Sequence, residues 1–297
     1  MLVTRIEPDK RRPPAHDRPL AGTLRTHVEA FAIPRDVFRQ PGANAEVRER
    51  LADLLSGFGY HVSIQGDHRN VVALPADLSE PVPLVCAHLD SVATTPGADD
   101  NASGLAVLVE TARASARAGV PVAFLAPNAE EHNLAGSREF VAAHGRDPSF
   151  AIRAAHVLEM VGFTSSRPGS QTMPANIPAR GLDVGDFLGL AANHRSMPEL
   201  KRVLRSARSL RGVPRVVALR AYFGMERLVP DIYRSDHAPF WWAGLPAVLW
   251  TDTAEFRNPH YHDRGDTPDT LNYAFMAQVT ALLLRSLGVG AAETGRC

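Results

Sequence analysis

Apolar residues along this chain follow two patterns, short continuous runs and helical spacings, and the two patterns alternate. Continuous apolar runs predict buried strands, and apolar residues three or four positions apart predict helices. The predicted strands lie at about 60–65, 70–74, 83–87, 120–126, 155–161, 216–219 and 246–250. The predicted helices lie at about 20–32, 44–58, 102–118, 134–144, 181–194, 198–211 and 269–287. This alternation indicates an α/β fold in which helices cover both faces of a central mixed, largely parallel sheet.

The same pattern predicts one domain, because no internal repeat or low-complexity linker divides the chain. Residues 1–19 are rich in Pro and Arg, and we expect an N-terminal tail there, followed by a single domain over 20–297. The segment at about 163–234 begins with a loop rich in Gly, Ser and Pro, so we expect it to decorate the domain. Asp266, Thr267 and Pro268 are predicted to open the last helix as its cap and first turn.

Composition narrows the class of protein. A chain of 297 residues that is 45% hydrophobic can bury a large core. Lys and Arg total 32, as do Asp and Glu, and this balance argues against nucleic acid or an anionic membrane as partner. Two cysteines are too few for a disulfide framework. Without an apolar segment typical of a signal peptide or membrane span, we expect a soluble, cytoplasmic protein. Its oligomeric state is open.

Four polar clusters follow or end predicted buried strands, where open α/β sheets place their chemistry. They are His88 with Asp90 and Asp100, the pair Glu130 and Glu131, the single acid Glu159, and His260 with His262. Imidazole and carboxylate groups suit a divalent metal such as zinc. A hydrolytic site with two metals holds its ions roughly 3.5–4 Å apart, bridged by a carboxylate. It also needs a carboxylate that is not a ligand, to accept a proton from water.

The sequence around these clusters resembles the zinc aminopeptidases of metallopeptidase family M28, which also contains glutaminyl cyclases and glutamate carboxypeptidase II. The matching segments occur in the family's order over roughly residues 21–290. They are HLDS at 88–91, GADDNASG at 97–104, AEEHNLAGS at 129–137, LEMVG at 158–162, SDHAPF at 235–240 and YHDRGDT at 261–267. The resemblance implies a zinc-exopeptidase-like fold and two zinc ions per chain, which cobalt or manganese could replace.

The resemblance also implies the ligands. His88 and Glu159 would bind one metal, Glu131 and His262 the other, and Asp100 would bridge both. The choice of Asp100 over the adjacent Asp99 depends on the resemblance alone, because spacing does not distinguish them. Glu159 departs from members that carry Asp there, although the longer side chain still permits ligation.

Glu130 would be the general base, and Asp90 would support catalysis by fixing the tautomer of the His88 imidazole through a hydrogen bond. Adjacent residues on an extended segment point in opposite directions, which agrees with one ligating and one catalytic role for Glu131 and Glu130. Asp236, His237 and His260 are further candidates for contacts with the substrate or with the ligands.

These residues favour an aminopeptidase acting on a peptide or aminoacyl substrate. A glutaminyl-cyclase-like acyltransferase on the same fold is the alternative, although the DDNASG and AEE segments look more like the peptidases. A binding module with a decayed metal site is a third reading, against which the complete set of ligands and base argues. The chain lacks a G-x-S-x-G elbow, an H-E-x-x-H motif and a Walker-type phosphate loop.

Overall fold

The computed structural model describes residues 1–8, 18–145, 150–177 and 180–290. The strands are β1 (Leu2–Ile6), β2 (His61–Gln65), β3 (Asn70–Leu74), β4 (Val82–Cys86), β5 (Ala123–Ala126), β6 (Ile152–Glu159), β7 (Phe187–Ala192), β8 (Arg215–Arg220) and β9 (Ala247–Thr251). The helices are α1 (Arg18–Phe31), α2 (Pro41–Gly57), α3 (Gly104–Ala118), α4 (Ala135–His144), α5 (Met197–Ser209), α6 (His237–Trp242) and α7 (Tyr273–Leu287).

The described strands form one nine-stranded mixed sheet in the order β1-β8-β7-β9-β6-β4-β5-β3-β2. Strands β5, β4, β6 and β9 are neighbours and run parallel. The carboxyl ends of these four strands therefore meet at one edge of the sheet, and the loops that follow them are brought together there.

Helices cover both faces of the sheet, as the sequence predicts. Side chains alternate along β4, so that Val85 packs with the core beneath α1, α2, α3, α5 and α7. Leu84 and Cys86 point to the opposite face and pack with the core beneath α4 and α6. Burial on both faces explains why these central strands read as continuous apolar runs. No helix among the described residues is long and apolar enough to cross a membrane.

The N-terminal tail expected over 1–19 is wrong for Leu2–Ile6, which pairs antiparallel with β8 as an edge strand. Residues 9–17 of that expected tail lie outside the described residues. The expected decoration at 163–234 is also wrong in part, because its strands β7 and β8 belong to the central sheet.

Two local predictions fail for physical reasons. The helix predicted at 181–194 contains β7, whose residues are all buried, and a short run buried on both faces has no periodicity that identifies a strand. The last helix begins at Tyr273, and Asn272 caps it by accepting a hydrogen bond from the Phe275 amide. Asp266, predicted as a cap, instead accepts hydrogen bonds from the amides of Asp99 and Asp100.

Candidate metal centre

The parallel strands bring the predicted ligands together at one edge of the sheet. His88 lies two residues beyond β4, Glu131 follows β5, and Glu159 is the last residue of β6. Asp100 lies in the segment Ala98–Ser103 before α3, where its own backbone is not helical, and His262 lies in the loop after β9. The expected strand-end arrangement is therefore present in the fold.

Their side chains form two groups that share Asp100. In the first group, His88 Nε2 lies 3.1 Å from Asp100 Oδ1 and 3.6 Å from Glu159 Oε1. In the second group, His262 Nε2 lies 3.2 Å from Asp100 Oδ2 and 3.2 Å from Glu131 Oε2. The donor atoms of each group lie within 4.8 Å of one another. Each oxygen of Asp100 thus faces a different group.

The donor chemistry and one unpaired oxygen show that the groups fit divalent metals. Both groups combine imidazole nitrogen with carboxylate oxygen, which is the set that zinc accepts. Glu131 Oε1 is buried and has no hydrogen-bond partner among the described residues. A buried carboxylate oxygen without a donor is costly, and coordination to a cation would satisfy it.

The charged side chains of the second group shift one another's pKa values. Burial opposes ionisation of Asp100, but hydrogen bonds from His262 and His88 outweigh burial and lower the Asp100 pKa. Burial and the nearby Asp100 charge raise the pKa of Glu131 to about 7. Burial disfavours the charged form of His262, yet its hydrogen bonds with Asp100 and Glu131 raise its pKa to about 10. A dication bound to this group would favour the ionised form of both carboxylates and the neutral form of the His262 imidazole.

The environment of His88 favours Nε2 as its ligand atom. Its Nδ1 atom lies 3.2 Å from the main-chain carbonyl of Asp90, which can only accept a hydrogen bond. If Nδ1 keeps its proton, a metal that replaces the Nε2 proton would find the Nε2 lone pair directed towards Asp100 and Glu159. The Asp90 carboxylate is slightly farther from Nδ1, at 3.5 Å.

The Asp90 carboxylate has another contact that the sequence did not reveal. It accepts hydrogen bonds from the amides of Glu130 and Glu131, at 3.0 and 3.2 Å. Asp90 therefore fixes the loop after β5 to the loop after β4. Glu130 is buried, and burial raises its pKa well above the ordinary value; His88 opposes this effect, and Glu159 and Asp236 add to it.

The three remaining candidates, Asp236, His237 and His260, lie outside the two groups. Asp236 is fully buried, and burial raises its pKa to about 7 despite the opposing charge of His88. His237 is also buried, bonds to the Ile232 carbonyl and packs edge-on against Trp241. His260 belongs to neither group and packs edge-on to Phe163.

The structure separates the two acids of the GADD segment. Asp99 points away from the two groups and accepts hydrogen bonds from the Gly162 amide and the Asn258 side chain. The amides of Asp99 and Asp100 both donate to the Asp266 carboxylate, at 2.8 and 3.1 Å. Asp266 therefore orients the peptide segment that carries Asp100. Sequence analysis missed this contact because the two residues lie 166 positions apart in the chain.

Arg35 is a second residue that sequence analysis missed. Its side chain is fully buried and donates hydrogen bonds to four main-chain carbonyls. These belong to Ile33, Leu89, Pro96 and Gly97. Arg35 thus holds both ends of the loop between His88 and Asp100. A lone arginine after a proline carries no pattern that could have revealed this role.

Three residues that are not glycine adopt left-handed backbone conformations at the groups. Ala129 (φ 61°) precedes Glu130, Met160 (φ 46°) follows Glu159, and His262 (φ 56°) is itself a predicted ligand. Such conformations cost energy and persist where the surrounding structure enforces them, which is common at functional sites.

A cavity of about 140 Å³ opens beside Glu159. Glu159 Oε2 accepts a 2.7 Å hydrogen bond from Ser235, which also lines the cavity. Most of the cavity wall is apolar and comes from β7, β8, β9 and the segment before α6. The apolar residues include Phe187, Leu190, Val217, Leu219, Ile232 and Leu249. Val3 of the edge strand β1 also lines it.

The sequence profile of Peptidase family M28 matches residues 70–287 of this chain. The chain belongs to this metallopeptidase family. YfbL, an uncharacterised protein of Escherichia coli strain K12, is 35% identical over 231 residues, which cover 72% of this chain and 68% of that protein. The family expected from the sequence is therefore confirmed.

Solved structures support the fold. BSAP, a zinc aminopeptidase from Bacillus subtilis, has a TM-score of 0.53 and 24% identity over 73% of this chain and 49% of its own. This chain thus spans about half the length of that enzyme. A glutaminyl cyclase from Porphyromonas gingivalis has a TM-score of 0.63 and 18% identity, covering 90% of this chain and 97% of its own.

Replacing Arg35 tests the support beneath the metal centre. We expect Arg35→Met to lower the free energy of unfolding of the metal-free protein by about 3 kcal/mol or more, because four carbonyls lose their donor. Arg39→Met, on the same segment but exposed, should change it by less than about 0.5 kcal/mol. Urea unfolding in the presence of a chelator measures both. Equal effects of the two variants would contradict the role of Arg35.

Proposed function

We propose that this protein is an aminopeptidase that hydrolyses N-terminal residues from peptides at a site with two zinc ions. The observation that carries the proposal is the position of Asp100, whose two oxygens face separate groups of ligands. A carboxylate shared in this way is what a pair of ions requires as a bridge. The M28 family and the zinc aminopeptidase among the structural relatives agree with it.

In this proposal His88, Asp100 and Glu159 hold one ion, and Asp100, Glu131 and His262 hold the other. The bound ions would polarise the carbonyl of the scissile bond and lower the pKa of a water molecule at the site. Cobalt or manganese could serve in place of zinc, because sites built from oxygen and imidazole accept several divalent metals.

Glu130 is the proposed general base. One of its carboxylate oxygens takes a proton from the attacking water and later returns it to the nitrogen of the leaving amine. Asp90 orients this residue through the Glu130 amide, and it binds the Glu131 amide at the same time. The proton-transfer group and a metal ligand are therefore positioned by a single carboxylate.

The cavity beside Glu159 supports binding of the first residue of the substrate. Its apolar wall suits one leucine, methionine or phenylalanine side chain, whose burial is favourable. The free α-amine of that residue would lie near acidic side chains that line the cavity. Among the described residues these include Glu159, Asp231 and Glu255.

A glutaminyl-cyclase-like acyltransferase is the second candidate, supported by the similarity to the Porphyromonas gingivalis enzyme. Such an enzyme must accommodate the side-chain carboxamide of an N-terminal glutamine. A carboxamide placed against the largely apolar cavity wall would lose hydrogen bonds to water. This cost favours the aminopeptidase, and assaying a glutaminyl peptide beside a leucyl peptide separates the two activities.

The role of Glu130 can be tested by an isosteric change. Glu130→Gln should lower kcat on leucine p-nitroanilide by about 10²–10⁴ because the amide cannot accept the proton. Its metal content should match that of the wild type, measured by elemental analysis after dialysis. Glu49→Gln, on the exposed side of α2, is the matched control and should keep full activity. A fully active Glu130→Gln enzyme would show that the base is another residue.

The cavity can be tested by filling it. Val217→Phe should reduce kcat/KM for leucine p-nitroanilide by about tenfold relative to alanine p-nitroanilide, because the larger side chain excludes leucine more than alanine. Steady-state kinetics on the two substrates give the ratio. An unchanged ratio would mean that the first residue of the substrate binds elsewhere.

A further inference from the structure

Phe38 is an exposed aromatic side chain held beside the candidate metal centre. It lies in the turn 36–39 between α1 and α2, and 67% of its surface is exposed. Its ring packs edge-on against His132, with ring centroids 4.7 Å apart and an angle of 77° between the planes. His132 directly follows Glu130 and Glu131, so this aromatic pair adjoins the proposed catalytic residues.

The turn that presents Phe38 is fixed by hydrogen bonds. Asp36 Oδ1 accepts from the amides of Phe38 and Arg39, at 2.9 and 2.7 Å. Asp36 Oδ2 accepts from His132 Nε2 at 2.8 Å. The Gln40 side chain donates to the Ala93 carbonyl in the loop that connects His88 to Asp100. The turn is thereby tied to two of the loops that carry proposed ligands, the loop of Glu131 and the loop from His88 to Asp100.

Stability does not account for this arrangement. A side chain that remains mostly exposed buries little apolar surface, so Phe38 contributes little to the hydrophobic free energy of folding. Holding it in one position nevertheless costs conformational entropy. An exposed aromatic ring close to the proposed catalytic residues offers a surface on which a bound ligand can bury apolar area.

The sheet order places the ring opposite the apolar cavity. The cavity is lined by β7, β8 and β9, whereas His132 follows β5. Strands β6 and β4, which carry Glu159 and lead to His88, lie between β9 and β5. A peptide with its first side chain in the cavity and its scissile bond at the two groups would therefore extend towards the β5 side.

We propose that Phe38, supported by His132, forms a wall of the subsite for the second residue of the substrate. The inference rests on the proposed aminopeptidase function. An aromatic or branched apolar second residue would bury surface against the Phe38 ring, whereas glycine would not. The enzyme should therefore prefer peptides with an apolar or aromatic second residue. Because this contact exists before and during the reaction, it should act mainly through KM.

The test compares leucyl dipeptide amides that differ in the second residue. The substrates are Leu-Phe-NH₂, Leu-Leu-NH₂ and Leu-Gly-NH₂, whose amide ends remove the C-terminal charge. Wild-type protein should favour Leu-Phe-NH₂ over Leu-Gly-NH₂ in kcat/KM. Phe38→Ala should reduce that ratio by about fivefold, mainly through KM, because a favourable ring contact is lost. Phe38→Leu, which keeps an apolar side chain, should retain part of the preference.

Phe223→Ala is the matched control. Phe223 is also an exposed aromatic, at 87%, but it stacks on His194 away from the two groups. This variant should keep the wild-type ratio. If Phe38→Ala also keeps it while the wild type hydrolyses the amides, the subsite assignment is overturned and the aminopeptidase proposal stands. If the wild type hydrolyses none of the three, the proposed function fails and the subsite fails with it.

Discussion

Repulsion among buried carboxylates is the constraint on which this structure depends. Asp90, Asp99, Asp100, Glu130, Asp236 and Asp266 are all buried near the carboxyl ends of the parallel strands. Burial without compensation disfavours each charge, and close spacing adds to the cost. The fold offsets this cost with main-chain amides, two histidines and the buried guanidinium of Arg35. Two dications bound to the proposed ligands would complete the compensation.

The contacts that offset these buried charges also determine where the proposed ligands lie. Asp90 accepts the amides of Glu130 and Glu131, and Asp266 accepts those of Asp99 and Asp100. Neither Asp90 nor Asp266 is a proposed ligand, but each orients a peptide segment that carries a proposed ligand. Arg35 completes the arrangement by holding carbonyls at both ends of the loop from His88 to Asp100. The ligands are therefore positioned by main-chain hydrogen bonds as much as by their own rotamers.

The sequence predicted most of the fold and the residues that gather at the strand ends because both leave local patterns. Buried parallel strands leave apolar runs, and His, Asp and Glu directly after such runs are conspicuous. It could not separate Asp99 from Asp100, since adjacent acids differ only in the direction that the folded loop gives them. Nor could it reveal Arg35 or Phe38, whose contacts depend on loops far apart in the chain. The strand β7 was missed because burial on both faces removes the alternation that identifies a strand.

The bridging position of Asp100 is the central claim, and metal content tests it most directly. Elemental analysis of zinc-loaded, dialysed wild-type protein should give about two ions per chain, as a two-metal site requires. Asp100→Ala removes a ligand from both groups, so it should lose most of both ions. His260→Ala, outside the groups, should retain the wild-type content. An Asp100→Ala protein that still binds as much zinc as the wild type would contradict the account.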